Sequence, residues 1–252
     1  MRSSGSPTLG LARILGVSLG LLGVAWAAST FPVFRDEASL VVSAQHILSG
    51  EQYQTVQSNE LGRELAGKNI STLRSTTLSR AVVVRLKLDE LESASQKEGY
   101  NPDLDATSQL VGSALARDPA DAFLWLTAYW LESVQGKTSA DPRLLRMSYL
   151  LGPNEGWIAT RRNPLAVRMF ASLPPDVTDR VVAEFGSLVH SGLGQNAAGT
   201  LSGLDGPIRE KLIGVLDADT RGWFLRALEG RDGEERIPPG ARDGLLKLET
   251  PF

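Results

Sequence analysis

The chain has 252 residues, 42% hydrophobic and 22% charged, a balance that suits one large or two small folded domains and excludes disorder as the default. Lys and Arg number 26 against 29 Asp and Glu; Arg2, Arg13 and Arg35 face no acid in the first 35 residues, so the remainder carries −6 and lacks the clustered cations that nucleic-acid phosphates require. Cysteine is absent, which excludes disulfides, thiolate metal sites, cysteine nucleophiles and a lipidated-cysteine anchor.

Residues 14–34, ILGVSLGLLGVAWAASTFPVF, hold no charge over 21 positions. About 20 residues at 1.5 Å rise cross ~30 Å of hydrocarbon, so this segment predicts a transmembrane helix in contact with lipid. Arg2 and Arg13 place residues 1–13 in the cytoplasm and the body outside by the positive-inside bias. The expected address is a bacterial cytoplasmic membrane, single-pass, with a periplasmic body. A cleaved signal peptide competes, because Ala25-Trp26-Ala27 has the small-x-small form of a cleavage site and cutting near Ala27 would release the body to the periplasm. The apolar run continues to Phe34, which favours the anchor. Gly16, Gly20 and Gly23, with Ser18, line much of one helix face and are candidates for close helix packing in lipid.

The exported body is expected to be all-α. Residues 35–100 form its N-terminal helices: Leu40, Ala44, Ile47 and Leu48 mark a helix ending at Gly50, and a weaker one runs from about Gln52 to Ala66. Val82, Val84, Leu86 and Leu88 alternate with Val83, Arg85 and Lys87 in a strand-like period of two. The long flanks, Leu73–Arg80 and Asp89–Lys97, lack turn residues, so the stretch is assigned to a helix. Beyond it, Asn101-Pro102, Asp118-Pro119, Asp141-Pro142, Gly152-Pro153, Pro174-Pro175 and Gly206-Pro207 each precede an apolar-periodic run and read as helix starts. Leu104, Val111 and Leu115, then Phe123, Leu126, Trp130 and Val134, then Leu165, Met169 and Leu173 recur at helical spacing. Residues 191–206, rich in glycine, read as a linker, and 207–252 as a C-terminal helical segment whose Glu229–Gly244 stretch is polar and loose.

Within residues 101–190, ALARDPADAFLWLTAYWLESVQG (Ala114–Gly136) closely resembles the tetratricopeptide helix junction, in which a small residue and Leu close one helix, Asp-Pro follows, and the next helix bears a small residue and then Trp. Those positions are Ala114, Leu115, Asp118, Pro119, Ala122 and Trp125. A degenerate copy spans Met147–Ile158, and the step from Pro119 to Pro153 equals the period of that family, about 34 residues. Gly152 replaces the Asp in this copy, and the interval to Trp157 is shorter. Trp223, close to two such periods beyond Trp157, is a third echo without proline. The resemblance covers roughly residues 104–173. It implies stacked helical hairpins with a concave groove that binds other proteins, for which Trp125, Tyr129, Trp157, Arg161 and Arg162 are the candidates.

Little in the sequence nominates chemistry. The two histidines, His46 and His190, have no metal-ligand spacing, and no G-x-S-x-G elbow identifies a serine nucleophile. Gln135-Gly136-Lys137-Thr138 follows helical Trp130–Ser133 and fails as a phosphate loop. Gly192–Ala197 matches G-x-G-x-x-A loosely but follows a helical run. Asp89-Glu90-Glu92 and Glu234-Glu235 read as solvated faces. Arg161-Arg162, before Asn163-Pro164, reads as helix-end charge, with recognition of an acidic partner or sugar acid as the alternative. No cofactor or metal is expected. The chain therefore reads as a membrane-anchored, non-enzymatic adaptor or assembly factor of an envelope complex, such as polysaccharide or secretion machinery. The rivals are an exported enzyme such as a hydrolase and an integral single-span subunit of a larger membrane complex.

Overall fold

The computed structural model describes residues 7–49, 55–95, 104–135, 140–201, 204 and 206–234. The elements are all helical: α1 (Pro7–Leu48), α2 (Thr55–Ala66), α3 (Ser75–Ser95), α4 (Leu104–Arg117), α5 (Ala122–Val134), α6 (Pro142–Leu151), α7 (Gly156–Arg168), α8 (Pro175–His190), α9 (Gly194–Thr200), α10 (Gly206–Gly214) and α11 (Ala218–Glu234), with one 3-10 turn at Phe170–Ser172. No strand occurs among the described residues.

The apolar segment and the first helix of the body are one element. α1 runs unbroken for 42 residues with Pro32 inside it. Proline lacks the N–H that would bond the carbonyl of Ala28. Nearby, the Ser29 and Thr30 hydroxyls donate back to the Trp26 carbonyl at 2.8 and 2.9 Å, so both are satisfied inside the helix, as a lipid environment demands. No residue of the most apolar stretch is covered by the rest of the chain; Trp26 is 68% and Phe31 65% exposed. From Glu37 onward the same helix turns one side into the body, burying Glu37, Leu40 and Ala44.

α3 is the central helix, packed by α1, α2, α4 and α5. Ala81, Val82, Val83, Val84, Leu86 and Leu88 are all buried. A helix covered on every side needs no apolar stripe, which explains the misleading strand-like alternation. Downstream, neighbours pair in chain order: α4 with α5, α5 with α6, α7 with α8; α5 also meets α7, and α6 meets α8.

Of the predicted starts within the described residues, Asp141-Pro142, Pro174-Pro175 and Gly206-Pro207 open helices, whereas Asp118-Pro119 and Gly152-Pro153 do not: Gly152 closes α6 and Glu155 stands at the N-cap of α7. Asp141 caps α6 through Arg143 N–H with Pro142 in the first turn, and Pro175 opens α8. At the tetratricopeptide-like junction, however, Asp118-Pro119 lies in the turn, and Asp121 is the cap, accepting from the N–H groups of Phe123 and Leu124. Asn163-Pro164 is not a turn, since α7 continues through Pro164. The Asn101-Pro102 start and Gly136–Thr138 lie outside the described residues, as does most of the Glu229–Gly244 stretch.

The glycine-rich segment is not a free linker. Its residues 194–200 form α9, whose Gly194, Ala197, Ala198 and Thr200 are buried against α7 and α8. Gly194 lets the Trp223 ring approach, since a Cβ there would lie 3.4 Å from the indole. Small residues serve close packing here rather than looseness. Gly152, which stands where the repeat pattern has Asp, is likewise steric: a Cβ there would lie 2.6 Å from Ala122 Cβ.

Gly152→Ala is therefore expected to destabilise the folded chain by ~1–3 kcal/mol, the usual cost of overpacking. Adding Ala122→Gly should recover part of the loss in denaturant unfolding; an additive further loss would show that this contact is not the cause.

Candidate functional site

The candidate binding surface lies on the hairpins α5–α6 and α7–α8, and what holds them together decides which side chains remain available. Arg162, on α7, is fully buried. Its Nη1 donates to the carbonyl and hydroxyl of Ser148 at 2.6 and 3.0 Å, and its Nη2 to the Gly152 carbonyl at 2.9 Å. Nε and Nη2 both donate to Glu184 Oε1 on α8, at 3.0 and 2.5 Å. The guanidinium lies 4.1 Å from the centroid of the Tyr149 ring, and Tyr149 donates its hydroxyl to Glu184 Oε2 at 3.0 Å. Burial pushes the Glu184 carboxyl above its ordinary range, opposed by Arg162, Tyr149 and Asn163. Beside it, Asn163 Nδ2 donates to the Val181 carbonyl at 3.0 Å.

Arg162 is thus a core residue joining α6, α7 and α8, not a helix-end charge on the surface. Tyr129 is buried too, at 1% exposure, and burial lifts its phenol to about 12. These two candidates are withdrawn from the partner-facing set. Trp157 remains open at 37% exposure; its indole N–H donates to Glu155 at 3.2 Å, and its ring packs on Phe123 of α5 with centroids 5.2 Å apart. Arg161 is half-buried and donates to the Trp157 carbonyl at 3.0 Å. Trp125 is half-buried, its N–H on the Pro119 carbonyl at 2.8 Å. Trp157 and Arg161 share one helix, and the Phe123–Trp157 contact joins α7 to α5. On α1, a Cβ built at Gly16, Gly20 or Gly23 would meet nothing within 4 Å.

Asp89 and Glu90, of the acidic cluster after Leu88, do not form a solvated face. Asp89 is buried, paired with Arg85 at 2.9 Å and accepting from Thr107 of α4 at 2.6 Å, while Glu90 pairs with Lys87 at 2.9 Å. These carboxylates fasten α3 rather than form an acid–base pair. Among the described residues no group of three or more His, Asp or Glu could hold a metal ion.

His46 is exposed in the last turn of α1. His190 closes α8: Nδ1 meets the Gly186 carbonyl at 2.6 Å and Nε2 meets Asp217 at 2.9 Å. Both partners are acceptors, so both ring nitrogens must carry hydrogen, which is the imidazolium. The Gly186 carbonyl and then Asp217 raise the His190 pKa. Asp217 caps α11 through Asp219 and Thr220 N–H at 3.1 and 3.0 Å, and these bonds together with His190 hold its carboxyl well below the usual range.

Comparison with family models, curated proteins and solved structures finds no match to this chain.

Removing one partner of the buried pair, as Arg162→Met or Glu184→Leu, should destabilise by ~3–5 kcal/mol, whereas the two together should lose clearly less than the sum; additive losses in denaturant unfolding would contradict a coupled pair. For His190, a raised folded-state pKa means stabilisation that is complete below about 6.5 and lost as pH rises through the higher folded value. The Tm gap between the wild type and His190→Gln should accordingly be widest at acidic pH and close as the solution becomes alkaline; a gap independent of pH would refute the imidazolium assignment.

Proposed function

We propose that the chain is a single-span membrane protein whose helical body binds other proteins as a non-enzymatic adaptor or assembly factor of an envelope complex. The observation that carries this reading is the uncovered apolar stretch of α1 passing without a break into the body. An exposed row that includes Trp26 and Phe31 is incompatible with water at that length, and a bilayer is the solvent that removes the conflict. The missing acid before Asp36 and the cations Arg2 and Arg13 support an N-in orientation with the body outside.

The binding half of the proposal rests on the paired helices. Hairpins offset by one tetratricopeptide period, with α5 against α7 and α6 against α8, support the tetratricopeptide-like reading, since stacked hairpins create extended surfaces suited to peptides and proteins. Trp157 and Arg161 offer an aromatic edge beside a cation on such a surface, the residue types that dominate protein interfaces.

A photocrosslinking residue placed at Trp157 or Arg161 in the full chain tests this in intact membranes. Defined protein adducts are expected from both positions and none from Asp179, exposed on α8. Adducts absent from Trp157 and Arg161, or equal at Asp179, would sink the adaptor reading.

A further inference from the structure

α1 leaves the body beside a cavity of about 360 Å³ lined by Phe31, Pro32, Arg35, Asp36, Ser39 and Lys68. We propose that it holds the phosphate headgroup of an anionic phospholipid of the bilayer that α1 spans; this rests on the membrane reading above.

Three observations converge on that occupant. The first is depth. Residues 14–34 at 1.5 Å each account for about 31 Å, the whole hydrocarbon thickness. Phe31 and Pro32 then lie in the last hydrocarbon turn, and Arg35 to Ser39 fall in the headgroup layer. One wall of the cavity is thus apolar at acyl depth and the other polar at phosphate depth.

Charge is the second. Lys68, from the connection between α2 and α3, donates to the Asp36 carbonyl and to Asp36 Oδ1 at 2.9 Å, so the Asp36 carboxylate is already neutralised. Arg35 is exposed and has no acidic partner among the described residues. Glu37, the next acid, points into the body, where it accepts from the Arg74 N–H at 2.9 Å, Arg74 Nε at 2.5 Å and the Thr77 hydroxyl at 2.6 Å. The cavity keeps one cation in excess, with the planar fork that suits phosphate oxygens, and the Ser39 hydroxyl, a donor without a partner among the described residues, lies one helical turn further.

The third is the neighbouring loop. Ile70, just beyond Lys68, is a large apolar side chain 40% exposed, so the loop that supplies Lys68 to the cavity also carries an uncovered apolar residue of the kind interfacial surfaces use.

Native mass spectrometry of the full chain from mild detergent, with equimolar phosphatidylglycerol and phosphatidylcholine, reads the preference directly. The wild type should retain phosphatidylglycerol about fivefold more selectively than Arg35→Gln, the effect of one basic group at an anionic surface. Arg35→Lys should keep most of the preference. Ser39→Leu, which preserves charge but fills the cavity, should lose it; selectivity surviving Ser39→Leu would mean diffuse attraction and overturn the site. Stripping of the bound lipid by millimolar inorganic phosphate would also overturn it, in favour of a free-phosphate site. Carbonate extraction of the same chain separates the two readings: release from the membrane defeats the anchor itself, whereas a retained chain with no lipid preference defeats only the headgroup site.

Discussion

A guanidinium with no contact with water must have its donors met by the protein, and Arg162 imposes that constraint on everything around it. Its partners, Ser148 and Gly152 at the end of α6 and Glu184 on α8, fix three helices in one relative placement. An apolar core alone tolerates many packings of similar volume; a buried ion pair tolerates few, because each misplaced donor would carry a desolvation penalty of several kcal/mol. Gly152 belongs to the same constraint. Its carbonyl is taken by Arg162 and its missing side chain admits Ala122, so the end of α6 can approach both α7 and the start of α5. The surface bearing Trp157 and Arg161 is held in place by residues that cannot themselves touch a partner.

The same device recurs at the other seams with different atoms. Glu37 on α1 accepts from the N–H of Arg74 and the hydroxyl of Thr77, so a carboxylate from one helix caps another at its positive end. Burial works against its ionisation, but the hydrogen bonds from Thr77 and Arg74 together hold its carboxyl below the ordinary value. Arg74 in turn covers the Phe34 ring, 3.9 Å from its centroid. Asp89 ties α3 to α4, and Asp121 caps α5 while accepting from Ser79 of α3. Arg117 returns from the end of α4 to the carbonyls of Ser71 and Leu73 at 2.6 Å each. These charged residues, of a kind that sequence statistics assign to solvent, are fasteners between helices.

That distribution explains which parts of the structure were legible. Helix content and the uncharged span could be read because they are written in local periodicity and length, and Asp141-Pro142 because capping is a matter of adjacent residues. The candidate site was half legible. Aromatic and basic residues in 125–162 point to the α5–α8 helices, but a sequence cannot tell Arg161, which stays half-buried, from Arg162, which is fully buried. The two differ by about 100° around α7, one reaching the edge and the other facing Glu184 on the next helix. Tyr129 was lost the same way, being on the inner face of α5. The glycine-rich 191–206 segment failed for a different reason, since small residues have identical composition whether they free a chain or let it pack against Trp223. The cavity beside Arg35 had no linear signature, because Lys68 reaches α1 only through the fold.

The continuity of α1 has a mechanical consequence. At 1.5 Å per residue its 42 residues extend about 63 Å, yet the body grips only the part from Phe34 onward, through Arg74 on the Phe34 ring and through Glu37, Leu40 and Ala44. No loop separates the apolar stretch from the part of α1 held by the body, so the two belong to one helix whose direction can change only at Pro32. A helix with Pro32 at the exit can bend there, and the contacts immediately beyond it, Asp36 with Lys68 and Glu37 with Arg74, are the ones that decide where the bend stops. With α1 spanning a bilayer as proposed, those contacts fall at headgroup depth and link the membrane surface to the orientation of the helices that carry Trp157 and Arg161.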